Sequence, residues 1–196
     1  MQTGDESPGW DAIDTALRKL YPGIEPNHRA PIPGVHFGGG VQGISAYPAA
    51  EHWHLVTYGL TELWAKEPGS PPEISGWGYE MTFRLASVPE EQRAPEWPFN
   101  VLVGFAKHTR NNGKPFWVGD RIDFGGPIDG GTSRLTAFAI AIDPELPTLN
   151  TPNGRMAFHQ LVGITADELA EMKRTSTASV LEKMQKTNRL LITDRV

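Results

Sequence analysis

The residues that could do chemistry begin with His52-Trp53-His54. On a β-strand, residues i and i+2 share a face. Both imidazoles would then point the same way and could hold one metal ion or one ligand. A zinc site needs at least a third protein ligand. His36, Glu62, Glu80 and His159 are available, but none stands at a diagnostic spacing from the pair. The same spacing also describes two hydrogen-bonded structural histidines. A metal-dependent hydrolase using His52 and His54 is therefore the enzymatic alternative. The second group is Glu80, Thr82 and Arg84, which alternate with Tyr79, Met81, Phe83 and Leu85. That alternation predicts a strand with one apolar and one polar face. Glu80 and Arg84 share a face but lie too far apart along a strand to pair with each other. Each must reach a neighbouring strand, or the two line a polar groove.

Other chemistries fail on their own terms. Cysteine is absent, which removes disulfides, thiol nucleophiles and Cys-ligated metals. Gly43-Ile44-Ser45-Ala46-Tyr47 starts like a nucleophile elbow but lacks the closing glycine and the following helix. Gly38-Gly39-Gly40 has no Lys-Ser/Thr after it and does not join a strand to a helix, so it is neither a P-loop nor a dinucleotide fingerprint. Asp120 and Asp123 would face opposite sides of a strand and could pair only across a bend. Lys173 to Arg189 carries five basic residues and one acidic residue without interleaved aromatics, which describes a solvated helix face.

The elements that must position these groups follow from periodicity. Trp10, Ile13, Leu17 and Leu20 predict a helix over about 8–20, stopped by Tyr21-Pro22-Gly23. Pro22 to Gly43 reads as a long loop. Strands are expected at Ile44–Pro48, His52–Leu60, Tyr79–Leu85, Arg121–Phe124, Leu135–Ile142, Met156–Ile164 and Leu190–Thr193. Leu60–Lys66 reads as a helical turn, and Glu67–Gly78 as a loop. Phe99, Leu102, Val103 and Ala106 predict a helix over Pro95–Arg110, ended at Asn111-Asn112-Gly113. Thr165 and Glu168 have capping-box spacing before a helix running to about Arg174. Val180, Leu181 and Met184 mark a last helix. Strict strand–helix alternation is missing. The fold class is α+β, with a mixed, largely antiparallel sheet flanked by helices in a single domain.

Composition narrows the function classes. The chain has 196 residues, 39% of them hydrophobic, with six Trp and eight Phe, which is too rich in core formers for disorder. Its 21 Gly and 17 Pro predict a loop-rich domain. Net charge is −5, and residues 1–98 hold 13 Asp/Glu against 6 Lys/Arg. That balance argues against nucleic acid, which needs a basic face, and suits a basic protein partner. No apolar run approaches the ~18 residues of a membrane helix. The polar N-terminus has no apolar signal region. With the absent cysteines, this predicts a cytoplasmic protein.

Two long strings carry a resemblance. His52-Trp53-His54-Leu55-Val56-Thr57-Tyr58-Gly59-Leu60-Thr61-Glu62-Leu63 is followed by Ser75-Gly76-Trp77-Gly78-Tyr79-Glu80-Met81-Thr82-Phe83-Arg84-Leu85. Trp97-Pro98, Asp143-Pro144-Glu145-Leu146, Thr151-Pro152-Asn153-Gly154, Phe158 to Thr165 and Leu191-Ile192-Thr193-Asp194 come after them in order. Together these resemble the Suppressor of fused domain family over nearly the whole chain. Val41-Gln42 departs from it, standing where the family pattern has an Asp-rich stretch.

The resemblance implies a binding domain with no catalytic residues and no cofactor. The animal member regulates Hedgehog signalling by holding a transcription factor, whose peptide is gripped as an added strand between this domain and a second one. The chain ends at Val196, so that second domain is expected to be missing. Stand-alone bacterial members look like immunity proteins of polymorphic toxin systems, and an acidic domain suits masking a basic toxin. The expected partner is thus a toxin domain, with a regulatory protein or peptide as the alternative, and strand addition as the mode. The candidate partner-binding residues are His52, His54, Tyr58, Glu62, Trp77, Glu80, Thr82 and Arg84. Trp53, Tyr79, Met81 and Phe83 are expected in the core.

Overall fold

The computed structural model describes residues 7–31, 39–66, 69 and 73–195. His36 and Gly38 lie outside them. The elements run α1 (Pro8–Leu20), β1 (Asn27–Arg29), β2 (Gly43–Pro48), β3 (His52–Tyr58), β4 (Ile74–Ala86), α2 (Glu96–Asn112) and β5 (Arg121–Asp123). They continue with β6 (Leu135–Ile142), β7 (Leu149–Thr151), β8 (Gly154–Thr165), α3 (Ala166–Arg174) and α4 (Thr177–Gln185). The strands form one sheet in the order β1-β2-β3-β4-β8-β6-β5, with β7 paired to the start of β8. Every pairing is antiparallel except β4 with β8. The expected mixed, largely antiparallel α+β sheet is what forms.

Strand alternation divides the side chains between two covered faces. On one, Trp53 lies opposite Leu85, Leu55 opposite Phe83, and Phe83 and Ile140 both beside Leu161. The α2 stripe of Phe99, Leu102, Phe105 and Ala106 packs over them, a spacing of three to four residues that keeps one helix face down. On the other face, α1 sets Ile13 and Leu17 against Val56, Tyr58 and Phe158. Further along, α3 and α4 set Leu169, Met172, Val180 and Leu181 against Ala137, Ala139, Val162 and Ile164. Thus β4 is not half solvated: α2 covers its apolar face, and Glu80, Thr82 and Arg84 on the other face are buried as well.

Local signals explain the helix ends. Gly113 closes α2 in the left-handed conformation, φ 62°. Thr165 and Glu168 form both halves of the capping box of α3.

Some elements depart from expectation. The stretch read as a loop from Pro22 contains β1, three residues that pair with β2 and are too short to show a period. Arg29 ties this strand to α2 through an ion pair with Glu96 and by lying 4.2 Å from the Phe99 ring centre. Strand β4 starts at Ile74, before Tyr79; Gly76 and Gly78 have positive φ and the register slips between Ile74 and Tyr79. Leu60–Lys66 is a series of bends, not a helical turn. The strand expected at Leu190–Thr193 is reduced to one parallel bridge between Leu85 and Thr193. Leu191, at φ 51°, breaks the extended run. Among the described residues no helix is long and apolar enough to cross a membrane.

Candidate functional site

The polar residues of β3 and β4 form a buried seam between the apolar cluster under α1 and the one under α3 and α4. Register places His54 opposite Arg84, and Thr82 beside Gln160. Asp143, directly after β6, closes the group. Arg84 donates from Nη1 to Asp143 Oδ2 at 2.6 Å and to Gln160 Oε1 at 2.7 Å. From Nη2 it donates to Asp143 Oδ1 and Glu145 Oε2, both at 3.1 Å. Asp143 accepts six hydrogen bonds in all, from His54, Thr82, Arg84 twice, and the backbone of Glu145 and Leu146. The planar guanidinium fork suits such two-point pairing. Burial alone would raise the Asp143 carboxyl. The His54 hydrogen bond and the Arg84 charge outweigh it and hold the group well below the usual carboxylate range.

An ionised carboxylate can only accept, so His54 donates from Nε2 to Asp143 at 3.1 Å. Its Nδ1 then accepts from the Tyr21 hydroxyl at 2.8 Å. Burial, reinforced by Arg84, lowers the His54 pKa and keeps the ring neutral. With both ring nitrogens occupied, His54 has no lone pair for a metal. His52 lies beside it with its ring 6.4 Å away; burial and then Arg84 lower its pKa to about 4. Among the described residues, no group of three or more His, Cys, Asp or Glu side chains is arranged to hold a metal ion. The described third-ligand candidates lie apart from the pair: Glu62 beside Lys66, Glu80 on β4 bonded to the bend after β3, and His159 against Phe116.

Glu80 has a different task. Its fully buried carboxylate accepts from the Thr57 and Thr61 hydroxyls and from the backbone N–H groups of Gly59, Leu60 and Thr61. Burial raises its pKa, with the threonine and backbone bonds pulling against that rise. The side chain gathers the donors of the bend after β3 and fixes that bend to β4. The same bend hands the Gly59 carbonyl to Arg110 of α2.

Five of the eight sequence candidates (His52, His54, Glu80, Thr82 and Arg84) are thus interior groups, each at most 5% exposed. A surface or polar-groove placement is corrected for them, because Tyr21, the Asp143–Glu145 segment and the neighbouring strands supply their partners in the interior. Tyr58 is also buried, donates to Asp14 at 2.9 Å and stacks on Trp10. Glu62 and Trp77 are half-buried. The eight do not converge on one surface.

An apolar groove lies elsewhere. A groove of about 530 Å³ runs between α2 and β5, lined by residues that include Trp97, Val101, Gly104, Phe105, Ile122 and Phe124. Strand β5 is the last in the sheet. The Asp120 carbonyl accepts from the Ile140 N–H, and the Phe124 N–H donates to the Thr136 carbonyl. By antiparallel alternation, the N–H and C=O groups of Arg121 and Asp123 therefore point outward, with no partner among the described residues. A sheet edge beside an apolar trough can accept a strand whose alternate side chains fill the trough. The signal in sequence was Gly104, a glycine in the middle of a helix, which costs about 1 kcal/mol relative to alanine. A Cβ there would meet nothing within 4 Å, so the residue opens the groove.

The fold and these sites define an α+β domain with an ion-paired interior and one exposed strand edge beside an apolar trough. The chain belongs to the Suppressor of fused protein (SUFU) family, whose model matches residues 35–195. It is 30% identical over 139 residues to the Suppressor of fused homologs of Homo sapiens and Mus musculus, covering 69% of this chain and 29% of each relative. It thus spans about three tenths of the length of those proteins. A chain in a crystal structure of a Sufu–Fu complex matches with TM-score 0.88 and 28% identity, over 97% of this chain and 91% of that one. Drosophila Suppressor of Fused matches with TM-score 0.86 and 29% identity, over 96% of this chain and 50% of that one. A SUFU homolog from Neisseria gonorrhoeae FA 1090 shares the fold, with TM-score 0.67 and 16% identity over 94% and 92%.

Proposed function

We propose that this chain is a non-catalytic protein-binding domain that takes up a partner segment as an added strand on β5. The single observation that carries the reading is the outward backbone of Arg121 and Asp123 beside the apolar groove under α2. The interior gives a second, supporting reason: the groups with chemical potential are spent on each other. His54, Asp143 and Arg84 are mutually hydrogen-bonded in the interior, which stiffens the sheet and leaves them no access to a substrate.

The finer reading is an immunity-type protein that masks a basic toxin domain in the cytoplasm. A net charge of −5 favours encounter with a basic partner. The alternative is a regulator holding a regulatory protein or peptide, supported by similarity to the animal Suppressor of fused homologs and to a chain of the Sufu–Fu complex. Glu62 and Trp77 keep exposed surface and remain contact candidates; the buried candidates act through the scaffold.

The test is a displayed library of random linear peptides panned on the intact protein. Enriched sequences should share apolar residues at a spacing of two. Gly104→Leu, which fills the groove from a position with open space around it, should abolish their binding. Enriched peptides that bind Gly104→Leu as well as the parent protein would overturn the placement.

A further inference from the structure

Apart from the β5 groove, the same sheet face carries a smaller cavity of about 280 Å³, beyond the reach of α2. Its lining includes Ile74, Trp77, Trp117, Arg155 and His159. We infer that it is a binding site for a single aromatic ring that bears a hydrogen-bond donor and a nearby carboxylate, the chemistry of a peptide ending in tyrosine. The inference is independent of strand addition at β5.

The residues specify that ligand part by part. His159 gives its Nδ1 proton to the Phe116 carbonyl at 3.0 Å, because a carbonyl can only accept. Nε2 is then an acceptor, and among the described residues no group donates to it. The ring is stacked on Tyr79 at 4.4 Å with an interplanar angle of 8°, so its orientation is fixed. Burial lowers its pKa, keeping that lone pair available at neutral pH. A phenol O–H is the complement. Trp117 leans over the same two rings, 6.1 Å from each, and is 55% exposed. Trp77 and Ile74 complete an apolar wall suited to a ring face. The volume is below that of ordinary drug-sized pockets, about 300–1,000 Å³, and holds about one ring.

Charge selects the other end of the ligand. Arg155 is the only formally charged residue in the lining. Among the described residues, no carboxylate or other group pairs with its guanidinium. Its backbone N–H bonds the Glu73 carbonyl, but the Glu73 carboxylate forms no ion pair with it. An exposed, unpaired guanidinium at the rim of an aromatic pocket is the natural seat of a carboxylate.

The test uses the intact protein and follows the indole N–H signals by proton–nitrogen NMR, assigned with Trp77→Phe and Trp117→Phe. N-acetyl-tyrosine should shift both indole signals at millimolar concentration. N-acetyl-tyrosinamide, which lacks the carboxylate, and N-acetyl-phenylalanine, which lacks the hydroxyl, should each bind about tenfold more weakly. Arg155→Ala should erase the preference for the acid over the amide while leaving the folded spectrum unchanged. Tighter binding of Gly-Gly-Tyr than of 3-(4-hydroxyphenyl)propanoate would support a chain terminus as ligand. The reverse order would overturn that source in favour of a free aromatic acid. Equal binding of acid and amide, or no movement of the two indoles, would overturn the site.

Discussion

Arg84 and Asp143 meet through two hydrogen bonds, 2.6 and 3.1 Å, with neither side chain exposed to water. A buried pair of this kind contributes little net energy against an apolar replacement of both partners, but losing one partner strands the other. Arg84→Met should lower the unfolding free energy by about 3–5 kcal/mol, measured by urea denaturation. Glu145→Gln touches the same guanidinium from the rim, where 31% of the Glu145 side chain is exposed. It should cost less than about 1 kcal/mol.

Stability should fall as pH drops below neutrality. The unfolded chain binds protons at its histidines near pH 6.5, whereas burial holds the folded-state pKa values of His28, His52, His54 and His159 lower. Stability from the neutral rings is therefore complete above the unfolded value and lost as pH falls toward the folded one. For His52, whose folded value is about 4, the loss at pH 5 is about 2 kcal/mol. His52→Gln should reduce the drop between pH 7 and pH 5 by that amount. Asp143 adds a loss of the same sign below about pH 4, where the unfolded carboxyl protonates. Glu80, with its pKa raised, acts in the opposite sense.

Glu80→Gln should destabilise the protein by about 2–3 kcal/mol. The five groups around the carboxylate all donate to it, so an amide NH₂ would face donors on one side. Because Glu80 holds the bend at Gly59–Thr61, amide exchange there should accelerate more than in α3. Equal acceleration everywhere would mean that the loss is global.

Gly104→Ala should raise stability by up to about 1 kcal/mol, the helix-propensity difference, because a Cβ there has open space around it. A stabilising substitution that nevertheless weakens peptide binding as its side chain grows, from Ala to Leu, would mark the glycine as a functional compromise. Thermal melts and binding titrations on the same two variants check both halves.

Much of this was readable from sequence where a long period was present. The alternation at Tyr79–Leu85 located a strand and its two faces, and the capping box at Thr165 located α3. What alternation could not show was the covering of the polar face. That depends on Asp143, 59 positions beyond Arg84, and on Gln160, 76 positions beyond it. A row of Glu, Thr and Arg reads as a wet surface when its partners are distant in the chain. The β5 groove was hidden for the opposite reason. Strand Arg121–Asp123 has three residues and one apolar side chain, so its position at the sheet edge emerges only from the topology.

Amide hydrogen exchange reports whether a partner adds a strand to β5. With a library-selected peptide bound, the amides of Arg121 and Asp123 should change from rapid exchange to strong protection. Asp123→Pro, which removes an outward N–H without touching the β5–β6 ladder, should weaken binding. Protection confined to α1, α3 or α4, with Arg121 and Asp123 still exchanging freely, would rule out strand addition at β5.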